Sequence, residues 1–174
     1  MHCQYTILYK INKKRRKANM ISEKYILSLE NAKKNLKRAD SMIYFTFPVI
    51  KENRFLIKIL EEFYNSTLSF VKSILQFEYV NKRAHVYSDA RSNLETFEKC
   101  APRYNLTEEQ LKMIKNTFNL IEKHKKSAME FTRKDKYVIL SENLGTDFVT
   151  VETLKKNIFL MRDAIHKAEQ TLIA

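Results

Sequence analysis

The stretch Asn53–Ala84, NRFLIKILEEFYNSTLSFVKSILQFEYVNKRA, holds neither Gly nor Pro, and its apolar residues fall on two adjacent helical stripes. Leu56, Leu60, Phe63, Phe70 and Ile74 make one stripe. Ile57, Tyr64, Leu68, Val71 and Leu75 make the other. A surface helix shows a single apolar stripe, so a helix apolar over this wider arc is enclosed by neighbours. Lys58, Glu61, Glu62, Lys72 and Glu78 leave part of it in water. Roughly 30 residues at about 1.5 Å each span about 45 Å, long enough to be the element around which other helices pack. Asn65-Ser66-Thr67 at its centre predicts a bend or a break, because short polar side chains compete for backbone hydrogen bonds.

Working outward, the seam Tyr25, Leu29, Ala32, Leu36, Ala39, Ile43 predicts a first helix over 22–45, capped by Ser22 and ended before Pro48. Phe45, Phe47, Val49 and Ile50 are then expected to fold over the end of the bundle. Downstream, Leu94, Phe97 and Cys100 predict a short helix over 89–100, capped by Asp89 or Ser88 and ended by Pro102. Thr107-Glu108-Glu109-Gln110 is a capping box. It opens a helix buried through Leu111, Ile114, Phe118, Ile121 and Ala128. Thr150 caps a last helix with the seam Leu154, Ile158, Met161, Ile165, Ala168, Leu172. Met113 and Met161 read as core filler. Tyr137–Leu140 is a short β-type run that either pairs with the alternating Tyr5, Ile7, Tyr9 or packs across the bundle. The expected fold is all-α: an antiparallel bundle of four main helices and one short one, with an extended segment near 137–140. Residues 1–21 form a basic extension and 22–174 one domain.

Composition supports that class and removes functions. The 174 residues include 1 Gly and 2 Pro, which suits helices and not sheets joined by tight turns. Phosphate-cradling loops need several glycines, and Gly145 stands alone, so P-loop and dinucleotide sites are excluded. Cys3 and Cys100 have no partner at metal-ligand spacing, so no metal and no cofactor are expected. No apolar run approaches 18 residues, so no membrane partner is expected. Glu23 and Lys24 follow the basic tract too soon for a signal-peptide core.

Net charge is +12. Residues 1–40 carry 11 Lys+Arg against 3 Asp+Glu, a net of +8. Lys13-Lys14-Arg15-Arg16-Lys17 suits phosphate contacts, a nuclear-import type signal, or a solvated tail. A product starting at Met20 would lack it. A second basic set, Lys82, Arg83, His85 and Tyr87, follows the long helix. A third, His124, Lys125, Lys126, Glu130, Arg133, Lys134, Asp135 and Lys136, follows the capping-box helix. The second and third sets meet at one end of the bundle only if those two helices run in the same direction. Such a cluster of Arg, Lys, His and Tyr suits a nucleic-acid backbone, with Tyr able to stack on a base, and in the third set the charge interleaves with Met129 and Phe131. Glu130 and Asp135, five apart with cations between them, read as ion-pair partners.

Arg162-Asp-Ala-Ile-His166 places Arg and His one turn apart on a helix. In outline the bundle is similar to HEPN-type helical domains, which cut RNA with an R-x4–6-H motif. The R-x3-H spacing here departs from that motif, so their activity is not carried over. Stretches ADSM (39–42), YFTFPVIKENR (44–54), ILQFEY (74–79) and HKKSAMEFTRKDK (124–136) resemble an uncharacterised family of small archaeal all-α proteins. The resemblance spans most of residues 20–174 and implies a cytoplasmic archaeal setting without an activity. The function expected is a non-catalytic nucleic-acid-binding module, RNA favoured, contacting phosphates through Lys13, Lys14, Arg15, Arg16, Lys17, Lys82, Arg83, His124, Lys125, Arg133, Lys134 and Lys136. The alternative is an interaction module dimerising through the first or last helical seam. A helical ribonuclease stands third.

Overall fold

The computed structural model describes residues 24–141 and 145–173. The long helix is unbroken and is here α2, Phe55–Val80. Its polar centre does not break it, because each hydroxyl finds a backbone oxygen. Ser66 donates to the Ala32 carbonyl of the preceding helix at 2.8 Å, and Thr67 donates to the Phe63 carbonyl at 2.9 Å. Ala32 and Ser66 are both fully buried, so small side chains let the two helices approach closely there. Leu56, Leu60, Phe63, Phe70 and Ile74 lie in the core, as do Val71 and Leu75 of the second stripe. Each such side chain contributes about 2 kcal/mol by leaving water.

The first helix, α1, is α-helical over 24–41 and continues through a π-helical turn, Met42–Thr46, into Phe47–Ile50. It does not stop before Pro48. The widened turn changes the hydrogen-bond partners just where the proline ring would collide with the preceding turn. The end of α1 also does not fold over the bundle. Phe47 packs against the core, while Phe45 is 74% exposed and Val49 82%. Helix α3, Ala90–Cys100, is capped by Asp89, which accepts from the Ser92 N–H at 2.7 Å. Helix α4, Glu108–Lys125, opens on the expected capping box, with Thr107 and Gln110 bonded reciprocally. Its buried face centres on Met113, Ile114, Thr117 and Ile121, and Ala128 lies exposed beyond its end. Helix α5, Val151–Leu172, buries its whole seam.

The fold is mostly helical, and it carries a small sheet that an all-α reading omits. Strands β1 (Met129–Arg133), β2 (Lys136–Leu140) and β3 (Thr146–Val149) form an antiparallel sheet in that order. The segment near 137–140 is therefore the central strand. It pairs on both sides with its own neighbours in sequence, which leaves it no free edge for residues 5–9. Lys134 turns the β1–β2 hairpin at φ 54, and the Asn53 side-chain amide, just before α2, donates to its carbonyl.

Helix directions follow from pairwise contacts. Ser28 meets Gln76 and Arg38 meets Glu62, so α1 and α2 are antiparallel. Lys33 meets Glu169 and Asp40 meets Arg162, so α1 and α5 are antiparallel. Tyr64 packs on Phe118 while Glu78 bonds Tyr104, just before α4, so α2 and α4 are antiparallel. Helix α3 instead runs parallel to α2, with Phe70 against Phe97 and Glu78 against Arg103 just past the α3 end. The exposed link over 81–89 makes this possible. Nine residues reach about 30 Å when extended, enough to return along α2.

Candidate nucleic-acid interface

The antiparallel course of α2 and α4 separates the two folded basic sets. Lys82 and Arg83 lie at the C-terminal end of α2. His124, Lys125 and the hairpin lie beside its N-terminal end, since His124 stands 3.8 Å from Glu61. Glu61 and Glu78 are roughly 25 Å apart at the helical rise per residue. The condition for joining both sets, parallel α2 and α4, is not met. Lys13, Lys14, Arg15, Arg16 and Lys17 lie outside the described residues.

At the far end Arg83 is committed to a carboxylate. Glu78 is fully buried and accepts from Arg83 Nε and NH2 at 3.0 and 2.9 Å. It also accepts from Arg103 NH1 at 2.6 Å and the Tyr104 hydroxyl at 2.7 Å. Burial, and then the bond to Glu78, pushes the Tyr104 phenol far up. Burial likewise raises the Cys100 thiol, with the Glu78 charge adding to it. A buried thiol held in its neutral form is a poor nucleophile. Four donors on one carboxylate knit α2, the 81–89 link and the turn before α4 together.

The hairpin end divides by face. Alternation along the strands sends Glu130, Tyr137, Ile139, Asp147 and Val149 inward, toward α2 and α4. His124 Nδ1 stands 2.6 Å from Glu130 Oε1, and the Tyr137 hydroxyl donates to Glu130 Oε2 at 2.7 Å. A carboxylate only accepts, so the His124 Nδ1 carries a hydrogen. Burial, followed by the bond to Glu130, pushes the Tyr137 phenol up to about 12. Asp147 takes the Lys123 ammonium at 2.8 and 3.0 Å. These contacts clamp the sheet to the C-terminal end of α4, and they occupy both of its inward carboxylates. Glu130 is thus the hydrogen-bond partner of both His124 and Tyr137.

The outward face carries Met129, Phe131 and Arg133 on β1, Lys136, Val138 and Leu140 on β2, and Thr146 and Phe148 on β3. Register puts Phe131, Val138 and Phe148 in one row across the three strands. Phe131 is 40% exposed and Phe148 49%, while Val138 between them is buried. Lys136 Nζ sits 5.5 Å from the Phe148 ring centroid, and Arg133, Lys134, Asp135 and Lys136 rim a shallow hollow floored by Val138. Of the folded basic residues anticipated from sequence, Arg133, Lys134 and Lys136 come together on this face. His124 lies behind it, and Lys125 is drawn over the Tyr64 ring at 5.7 Å. Phe148 was not anticipated. Its signal was the alternation Thr146-Asp147-Phe148-Val149 just after the turn residue Gly145.

Arg162 and His166 line a separate groove between α1 and α5 with Lys33, Lys37, Asp40 and Glu169. Arg162 pairs with Asp40 at 2.9 Å, and His166 Nε2 lies 3.3 Å from the Gln170 amide. The seams of α1 and α5 are spent inside the chain, with Leu29, Ala32, Leu36, Leu154, Ile158 and Met161 all buried. Among the described residues no cluster of three metal-ligating side chains occurs, and no helix is long and apolar enough to cross a membrane. Comparison with protein-family models, with curated proteins and with solved structures gives no significant match.

Proposed function

We propose that this protein is a non-catalytic nucleic-acid-binding module, with RNA as the favoured ligand, and that the outward face of the sheet is its folded contact surface. One observation carries the reading. The strands turn their carboxylates Glu130 and Asp147 inward onto partners and leave Arg133, Lys134 and Lys136 outward, with Asp135 the one carboxylate among them, beside two exposed rings. Arg and Lys so placed form charge-assisted contacts to phosphates. The N-terminal basic tract Lys13–Lys17 adds long-range attraction that does not depend on sequence.

Three phosphate contacts on a single strand predict a salt slope of about −2, or about 20-fold weaker binding between 50 and 200 mM salt. Fluorescence anisotropy on the Arg133→Gln/Lys134→Gln/Lys136→Gln variant tests this. The reading expects weaker binding and a slope smaller by about 2. An unchanged slope removes the hairpin from the interface.

A second reading, an interaction module that dimerises, has its own support. It comes from Tyr44, Phe45, Val49, Ile50 and Phe159, all exposed. That apolar set lies at the end of α1 and the adjoining part of α5, where Lys155 Nζ sits 4.7 Å from the Tyr44 ring centroid. Sedimentation of Phe45→Ser against the unaltered chain separates the readings: self-association through this patch should be lost in the variant and insensitive to salt.

A further inference from the structure

We infer that the outward sheet face selects unpaired nucleotides, stacking one base on Phe131 and another on Phe148, and so takes single-stranded RNA in preference to duplex. The inference rests on the reading that this face contacts nucleic acid, and it adds the form of the ligand. Phosphate contacts alone accept either form. Exposed ring faces do not, because the bases of a duplex are already stacked on one another and present only edges.

The geometry supplies the platform. Phe131 and Phe148 belong to one row and are separated by the central strand, so they stand two strand spacings apart, roughly 10 Å. Two bases of an extended strand can reach both rings, whereas stacked neighbours lie closer together than that. Val138, buried between them, leaves no large side chain standing in the gap. Behind the row Tyr137, Ile139 and Val149 are buried, and Glu130 and Asp147 hold α4. The platform is therefore rigid before a ligand arrives, which lowers the ordering cost of binding. Lys136, now over the Phe148 ring, is placed to move from the ring to a phosphate when a base takes its position. The chemistry is sequence-tolerant, since every base offers a π face.

The chain has no Trp, so Phe148→Trp installs a sole indole at the site. Titration with a single-stranded RNA of about ten nucleotides should quench its emission to saturation. The same sequence as a duplex should quench it little at equal nucleotide concentration. Phe131→Leu and Phe148→Leu should each weaken single-strand binding about tenfold with the salt slope unchanged, and Phe148→Tyr should keep full affinity. Circular dichroism of each variant confirms that the fold is retained. Stacking is overturned if RNA binds while the indole stays unquenched, the Leu variants keep full affinity and duplex competes equally; phosphate contact then stands without it. If the triple Gln variant also keeps full affinity and slope, the contact surface itself is wrong and the inference falls with it.

Discussion

Replacing Glu78 by Ala should unfold this protein far more readily than any other single carboxylate deletion among the described residues. The carboxylate has no exposure and four donors converge on it. The donors differ in what they lose. Arg83 and Arg103 are 42% and 50% exposed, so their guanidinium groups rehydrate when the carboxylate goes. The Tyr104 hydroxyl is fully buried and cannot. A stranded buried donor costs about 1–3 kcal/mol, and the vacated volume adds about 1–2 kcal/mol. The sum, about 2–5 kcal/mol, overlaps what breaking a buried ion pair usually costs. In a chain of this size it lowers Tm by about 10 °C. Urea unfolding of Glu78→Ala, Tyr104→Phe and the double variant measures it. Removing the stranded hydroxyl in the Glu78→Ala background should recover about 1 kcal/mol or more, so the two changes must be strongly non-additive. A loss below about 1 kcal/mol for Glu78→Ala, or simple additivity, refutes the reasoning.

Two further outcomes follow from other features of the fold. The Tyr137 phenol is raised to about 12, so the folded state holds its proton more tightly than the unfolded chain does. Stability from this group is complete below the ordinary phenol value of 10.0 and is lost as pH rises toward 12. Stability measured between pH 9 and 12 should fall less steeply in Tyr137→Phe, and that variant should be about 1 kcal/mol less stable at neutral pH for want of the bond to Glu130. Lys82 adopts φ 56 with no ion pair among the described residues. Lys82→Gly should therefore stabilise the fold by about 0.5–1 kcal/mol, because relief of the left-handed strain exceeds the added freedom of the unfolded chain; a loss on thermal unfolding would contradict this.

The helices were legible because burial imposes a period, and every seam residue from Leu29 to Ile43 and from Leu154 to Leu172 lies in the core. The capping box at Thr107 was legible for a local reason: its two bonds join residues three apart. The sheet was half legible. Tyr137–Leu140 reads as a strand by residue type, but β1 is short and charged, and its hairpin turns at Lys134 where a sequence would ordinarily show Gly or Asn. The π-helical turn before Pro48 overrode a local rule that holds for ordinary helices. Relative helix direction had no sequence signal, because the long 81–89 link permits either course. For the same reason the Glu78 cluster, which joins Arg83 to Arg103, was invisible. On the candidate face, Phe131 with Arg133, Lys134 and Lys136 was visible as interleaved charge. Phe148 joined them only through strand register, which a pattern read along the chain does not contain.

The most direct test of the RNA-binding account is anisotropy with a single-stranded RNA at about 50 and 200 mM salt, comparing three proteins: the full chain, a chain starting at Met20, and the triple Gln hairpin variant. The account predicts that the Met20 chain still binds, that its binding weakens steeply with salt, and that the hairpin variant loses affinity and slope. Binding that vanishes with residues 1–19 and ignores the hairpin substitutions would contradict it and leave the basic tract as the whole interaction.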